Sequence, residues 1–181
     1  HSLGGQLASL HLARRPDDGS ALALVGSGAP YWRVQRPHIG AALCAAMAFV
    51  PLATRTLGYL PGRQIGFGGR EARGVMRDWL RCARTGEYRL HGLEDDPEAA
   101  LGTLGHRTLA LCLDEDAFGP RSALDHLLGK LATPAPEVRV LGRKDLGVAA
   151  DHFAWMTRPE RIAAEISGWL VPGTGNAEGP A

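Results

Sequence analysis

Apolar residues recur with two different periods along this chain, and the period assigns each stretch to helix or strand. Over residues 4–14, Leu7, Leu10 and Leu12 with Ala8 and Ala13 supply an apolar face, and Pro16 closes the run, which predicts a helix. Asp17-Asp18-Gly19-Ser20 is turn chemistry. Residues 21–25 are continuously apolar and short, as expected for a strand covered on both faces, and Gly26-Ser27-Gly28-Ala29-Pro30 interrupts it.

From residue 31 to about 101 the pattern predicts a helical insertion without strand signal. Residues 39–57 are alanine-rich and helix-like, with a break expected at Pro51. Residues 58–69 carry Gly and Pro and predict a loop. Residues 70–85 place Val75, Met76, Trp79, Leu80 and Cys82 at helical spacing, with Arg73, Arg77 and Arg81 on another face. A short helix is expected over 94–101, with Pro97 in its first turn.

Strand signal returns at 108–113. A helix follows over 121–131 after Pro120, then a strand over 138–141. Thr157-Arg158-Pro159-Glu160 reads as a capping box opening an amphipathic helix through residue 170. Strands alternating with helices predict the α/β class with a parallel sheet. The expected organisation is a core segment over 1–30, a helical insertion over 31–101, a second core segment over 102–172, and a small, polar, disordered tail over 173–181.

Composition narrows the function classes. With 181 residues, 45% of them hydrophobic, the chain can bury a core, and a formal net charge of +1 leaves no footprint for nucleic acid. The longest apolar stretch, 39–52, contains Gly40 and Pro51 and is too short to span a bilayer. Cys44, Cys82 and Cys112 lack metal-ligand or disulfide spacing, so buried free thiols in a reducing, cytoplasmic setting are expected, with no metal and no cofactor. The pattern assigns no oligomeric state. The chain opens on His1-Ser2-Leu3-Gly4-Gly5 without an initiator Met, so it is expected to be the C-terminal part of a longer chain whose upstream half adds strands.

Three stretches carry chemistry. Ser2 lies just ahead of a helix, with Gly4 and Gly5 giving the chain room to pack closely, where a serine hydroxyl can be held on a sharp turn beside a base. The backbone N–H of Leu3 would then face a developing oxyanion. The bland alternative is a Gly-Gly turn that merely starts a helix. The strand over 108–113 ends in Asp114-Glu115-Asp116, at the carboxyl edge of a parallel sheet where such folds keep their sites. Asp114 and Asp116 both qualify as the acid. Of the seven histidines, His11 and His126 fall in helices, His38 and His91 in or beside the insertion, and His106 ahead of a strand. His152 alone lies in a loop after the strand that follows the acid.

With these stretches in place, the chain resembles the α/β-hydrolase superfamily along nearly its whole length. More narrowly, it resembles bacterial predicted hydrolases related to serine aminopeptidases and monoglyceride-lipase-like proteins. The carrying stretches are His1-Ser2-Leu3-Gly4-Gly5-Gln6, Ser27-Gly28-Ala29-Pro30-Tyr31-Trp32-Arg33, Tyr59-Leu60-Pro61-Gly62, Gly74-Val75-Met76-Arg77-Asp78-Trp79 and Asp116-Ala117-Phe118-Gly119-Pro120. The resemblance implies that the chain starts one residue before its nucleophile. The family's acid-loop spacing to Pro120 selects Asp116 over Asp114, and its order of triad residues gives Ser2, Asp116 and His152. It implies a serine hydrolase of carboxylic esters or amides acting on a small molecule through an acyl-enzyme. A truncated, non-catalytic fragment and an acyltransferase on the same framework are the alternatives. The segment 31–101 is expected to form a lid whose Trp32, Phe49, Phe67 and Trp79 offer apolar surface to an acyl chain. The chain departs from the family in having Asp151 where Gly often precedes the histidine, and in lacking the loop that donates the second oxyanion N–H.

Overall fold

The computed structural model describes residues 1–65 and 68–171. Strands β1 (Ala21–Val25), β4 (Arg107–Leu113) and β5 (Glu137–Leu141) form a parallel sheet in the order β1-β4-β5. The register pairs Ala21 with Arg107 and Leu109 with Glu137. Strand β4 is central, and six of its seven residues are buried. Its side chains alternate between two cores, as strand geometry requires. Ala110 and Cys112 pack with Leu24, Leu124 and Leu127, against helices α1 (Leu3–Arg14) and α5 (Arg121–Leu128). Leu109, Leu111 and Leu113 pack with Leu146, Ile162 and Trp169, from α6 (Arg143–Leu146) and α7 (Glu160–Leu170) on the opposite face. Coverage on both faces is why β1 and β4 read as apolar runs, whereas the edge strand β5, Glu137-Val138-Arg139-Val140-Leu141, alternates.

The segment between β1 and β4 holds α2 (Pro37–Leu57), α3 (Arg73–Thr85) and α4 (Pro97–Leu101). It also holds a hairpin-like pair not expected from the pattern, antiparallel β2 (Tyr59–Pro61) and β3 (Arg70–Ala72). Each strand has three residues, too few for a two-residue period to show. Val50, Leu60, Met76 and Leu80 make a separate small core where β2, α2 and α3 meet.

Four further local expectations are corrected. Helix α2 runs through Pro51 without a break and ends at Gly58, whose φ of 77° is the left-handed C-cap. Packing of Val50 and Ala46 in the small core offsets the one hydrogen bond the proline removes. The 21-residue helix that results is long and apolar enough to cross a membrane by length and composition alone, so shortness does not exclude a span; about a fifth of its apolar window (22%) is buried. The capping box at Thr157 does not form: its hydroxyl donates to the Ala154 carbonyl, and α7 starts at Glu160. Pro159 pushes Arg158 out of the helical region (φ −140°, ψ 74°), so the helix cannot begin earlier. Cys44 is exposed on α2, whereas Cys82 and Cys112 are buried free thiols as expected. The expected tail over 173–181 lies outside the described residues.

Candidate active site

Three loop positions converge at the carboxyl edge of the sheet. Ser2 lies immediately before α1. It is the one non-glycine among the described residues with positive φ (52°, ψ −129°). Such a backbone costs on the order of 1–3 kcal/mol and persists only where neighbours over-determine it. They do so here. The Ser2 N–H donates to the Val25 carbonyl (3.3 Å), and the Ser2 carbonyl accepts from Gly5 N (3.1 Å) and Ser27 Oγ (2.9 Å). Gly5 is required for that fit, because a Cβ there would fall 2.8 Å from the Ser27 Cβ.

Asp116 follows β4 in a tight loop and has no solvent exposure. Its Oδ1 accepts the N–H groups of Phe118 and Gly119, both at 2.8 Å. Gly119 makes the loop possible: a Cβ there would come 2.8 Å from the Gly26 carbonyl oxygen. The remaining oxygen, Oδ2, lies 2.8 Å from His152 Nδ1. With the proton on Nδ1, the imidazole donates to the carboxylate and offers Nε2 as acceptor. Ser2 Oγ lies 2.8 Å from that Nε2. A carboxylate, an imidazole and a serine hydroxyl thus stand in one hydrogen-bonded chain, with His152 only 6% exposed.

The rivals fall elsewhere. Asp114 is exposed and turned toward Gly142, and Glu115 pairs with Arg143. His126 Nε2 meets the Gly86 carbonyl, His106 Nε2 the Pro16 carbonyl, and His11 the carboxylate of Asp18. His38 and His91 are exposed on the insertion. Leu3 opens α1, so its N–H has no acceptor within the helix and sits at the positive end of the helix dipole.

Sequence reasoning missed the ring cluster around His152. His1, Phe118 and Phe153 place their ring centroids 4.6, 5.4 and 4.8 Å from that of His152. Each is within two residues of Ser2, Asp116 or His152, so chain adjacency was the available signal. Ser27 was missed too; its role comes from a contact 25 positions away, which no local pattern displays. Asp151 is shaped for the loop: its carboxylate accepts Ala154 N (2.7 Å) and Phe153 N (2.9 Å), and these bonds hold its pKa below the usual carboxylate value.

A cavity of about 370 Å³ starts at Ser2, Leu3 and His152 and continues between α2 and α3. Ile39, Leu43, Ala46, Val50, Met76 and Trp79 make it mainly apolar. Of the four aromatics expected to face an acyl chain, Trp79 lines it. Trp32 does not, Phe49 points to solvent at 60% exposure, and Phe67 lies outside the described residues. Among the described residues no three His, Cys, Asp or Glu side chains cluster as metal ligands. No family model and no curated protein matches the chain.

Proposed function

We propose that this chain carries the catalytic residues of a serine hydrolase of the α/β-hydrolase type, acting on carboxylic esters with an apolar acyl group. The observation that carries the reading is the Asp116–His152–Ser2 chain, with both links at 2.8 Å, ending on a serine held at a φ of 52°. A strained backbone that presents a serine hydroxyl to an imidazole is what nucleophilic catalysis uses and what a structural serine does not need.

In the proposed reaction, Ser2 Oγ bonds to the acyl carbon as its proton passes to His152 Nε2. The carbonyl oxygen becomes an oxyanion, toward which the Leu3 N–H contributes a donor. The C–O bond to the alcohol then breaks, and the alcohol leaves with the proton from Nε2. Water attacks the acyl-enzyme, giving its proton to Nε2. Collapse releases the acid and returns the proton to Ser2 Oγ. Asp116 stays ionised throughout, fixing the tautomer and favouring the imidazolium. The segment over 31–101 acts as a lid, and the cavity between α2 and α3 receives the acyl chain.

Fluorophosphonate labelling tests this. The full-length protein is expected to label on Ser2 and to lose labelling in Ser2→Ala. Absence of labelling, or labelling that survives that substitution, overturns the proposal.

A further inference from the structure

Among the described residues, the cavity that leads from Ser2 is lined by one carboxylate, Glu71, and by no Lys or Arg. The β2–β3 register puts it there. Glu71 pairs directly with Leu60, and residues opposite one another in a ladder project to the same face. Leu60 is 1% exposed, packed with Val50 and Met76, so Glu71 is set on the apolar side of the strand pair. Arg70, the preceding residue of β3, projects to the other side. Its guanidinium lies 3.9 Å from the centre of the Tyr59 ring there, and so the cation nearest in sequence does not neutralise Glu71.

The carboxylate is fixed but only half used. Its Oε1 accepts the Gly69 N–H at 2.7 Å, and a Cβ on Gly68 would fall 2.8 Å from that oxygen. Among the described residues nothing donates to Oε2, and no Lys, Arg or His forms an ion pair with Glu71. The side chain is half-buried and shares the cavity wall with Leu60, Val75 and Met76. Capping the Gly69 N–H needs one neutral acceptor and no charge. A carboxylate withdrawn from water beside apolar groups is costly without a counter-charge, and a cationic ligand group would supply one.

The cavity also has a defined length. Ile39, Leu43, Ala46 and Val50 share one face of α2 by helical spacing and line the cavity over about 16 Å of helix. At the start of α2, Gly40 lies against the Trp32 carbonyl, close in sequence to the cavity residues Pro30 and Gln35; further along, Val50 packs with Leu60. The apolar wall thus runs from the loops at the sheet edge, where Ser2 stands, to the strand that carries Glu71.

We propose that Glu71 selects substrates whose apolar acyl stem ends in an ammonium group, which pairs with Oε2 while the acyl carbon lies at Ser2 Oγ. The proposal rests on the hydrolase reading for which end of the ligand reacts; the pairing of the ammonium with Glu71 does not. A terminal hydroxyl could donate to Oε2 but would leave the charge uncompensated, so charge is what the site discriminates.

Calorimetric titration of the full-length protein with n-octylammonium, n-octanol and n-octanoate reads the pairing without turnover. Octylammonium should bind on the order of tenfold more tightly than octanol, and octanoate more weakly than either. Glu71→Gln keeps an acceptor for the Gly69 N–H. It should remove the ammonium preference and leave octanol binding within about twofold. If circular dichroism shows that this variant does not fold, the salt series on the unaltered protein replaces it: octylammonium binding should weaken as salt rises while octanol binding does not. In turnover, kcat/KM for p-nitrophenyl 8-aminooctanoate should exceed that for p-nitrophenyl octanoate, and Glu71→Gln should lower the former alone. An ammonium preference in binding with neither ester hydrolysed would remove the hydrolase reading and uphold the cation site. Equal binding of octylammonium and octanol, a preference that survives Glu71→Gln, or one that salt does not weaken overturns the proposal, and hydrolysis of both esters would then leave the triad standing.

Discussion

A Cβ atom added to Gly5 would lie 2.1 Å from the Oγ of Ser27, the hydroxyl that donates to the Ser2 carbonyl at 2.9 Å. The serine elbow is therefore clamped by a side chain from the loop after β1, and the clamp closes only because residue 5 has no side chain. Gly4, one position earlier, has no atom within 4 Å of its added Cβ. In a helix, Gly→Ala by itself stabilises by about 0.5–1 kcal/mol. Gly4→Ala should show that gain. Gly5→Ala should instead destabilise by about 1–3 kcal/mol, because Ser27 must rotate away in a packed site. Urea unfolding of the two variants separates these outcomes, and equal effects would count against the clamp.

The two aspartates at the end of β4 make opposite predictions for turnover. Asp116 holds His152 through Oδ2, while Asp114 faces solvent near Gly142. On the proposed mechanism Asp116→Asn lowers kcat on the order of 10⁴-fold, as loss of the orienting carboxylate does in other serine triads. Asp114→Asn should leave it within about twofold, since an exposed carboxylate touching no reacting group has no differential effect on the transition state. His152→Ala should abolish turnover and His126→Ala should not. A reversed result for either pair would remove the assignment.

The core elements were readable because their signals are local. Leu109 to Leu113 form a run that only a doubly covered strand explains, and the apolar spacing over residues 4–14 found α1 to within a residue. Asp116 was readable as a candidate because it lies in the loop directly after a strand, and His152 because it lies between the last strand and the last long helix. Features that depend on distant contacts were not. β2 and β3 exist by pairing Tyr59 with Ala72 across 13 positions, and neither strand is long enough to announce itself. Pro51 promised a break in α2, but tertiary packing around Val50 outweighed local propensity. Thr157 had the spacing of a capping box, and Pro159 within it had the stronger steric say.

Asp151 ties His152 to acid stability. The N–H groups of Ala154 and Phe153 donate to its carboxylate and lower its pKa in the folded state. A carboxyl group whose folded pKa is depressed adds stability above its unfolded value, about 3.9, and that contribution is lost as pH falls through the folded value. Asp151→Ala should cost about 1 kcal/mol at neutral pH, as loss of a comparable backbone cap does. The difference from the unaltered protein should shrink steadily below pH 4. Urea midpoints measured from neutral to acid pH test this; a gap independent of pH would mean that the carboxylate charge is irrelevant to the loop.

The three thiols should separate by burial. Burial pushes the Cys82 pKa up to about 12 and raises that of Cys112, while Cys44 lies exposed on α2. Only the thiolate reacts with disulfide reagents, so Cys82 and Cys112 are doubly protected, by access and by protonation. With a chromogenic disulfide at mildly alkaline pH, one thiol should react quickly in the native protein and the other two only on unfolding. Cys44→Ser should remove the fast phase alone.

On the proposed function, the cavity between α2 and α3 sets an expected chain-length profile. Its walls at Leu43, Ala46, Val50 and Met76 are apolar, and it opens beside Ser2 Oγ. Each methylene of an acyl group moved from water into such surroundings gains about 0.8 kcal/mol. If that gain is realised in the transition state, kcat/KM rises roughly fourfold per carbon until the cavity is full. Ala46→Trp places an indole between Leu43 and Val50 and should move the plateau to shorter chains. Acetyl ester turnover should stay within about twofold, because the substitution touches none of Ser2, Asp116 or His152. Val50→Ala enlarges the same space and should move the plateau the other way, at a stability cost of about 1–3 kcal/mol for the methyl groups removed. A profile that neither substitution shifts would place the acyl chain outside this cavity while leaving the triad assignment intact.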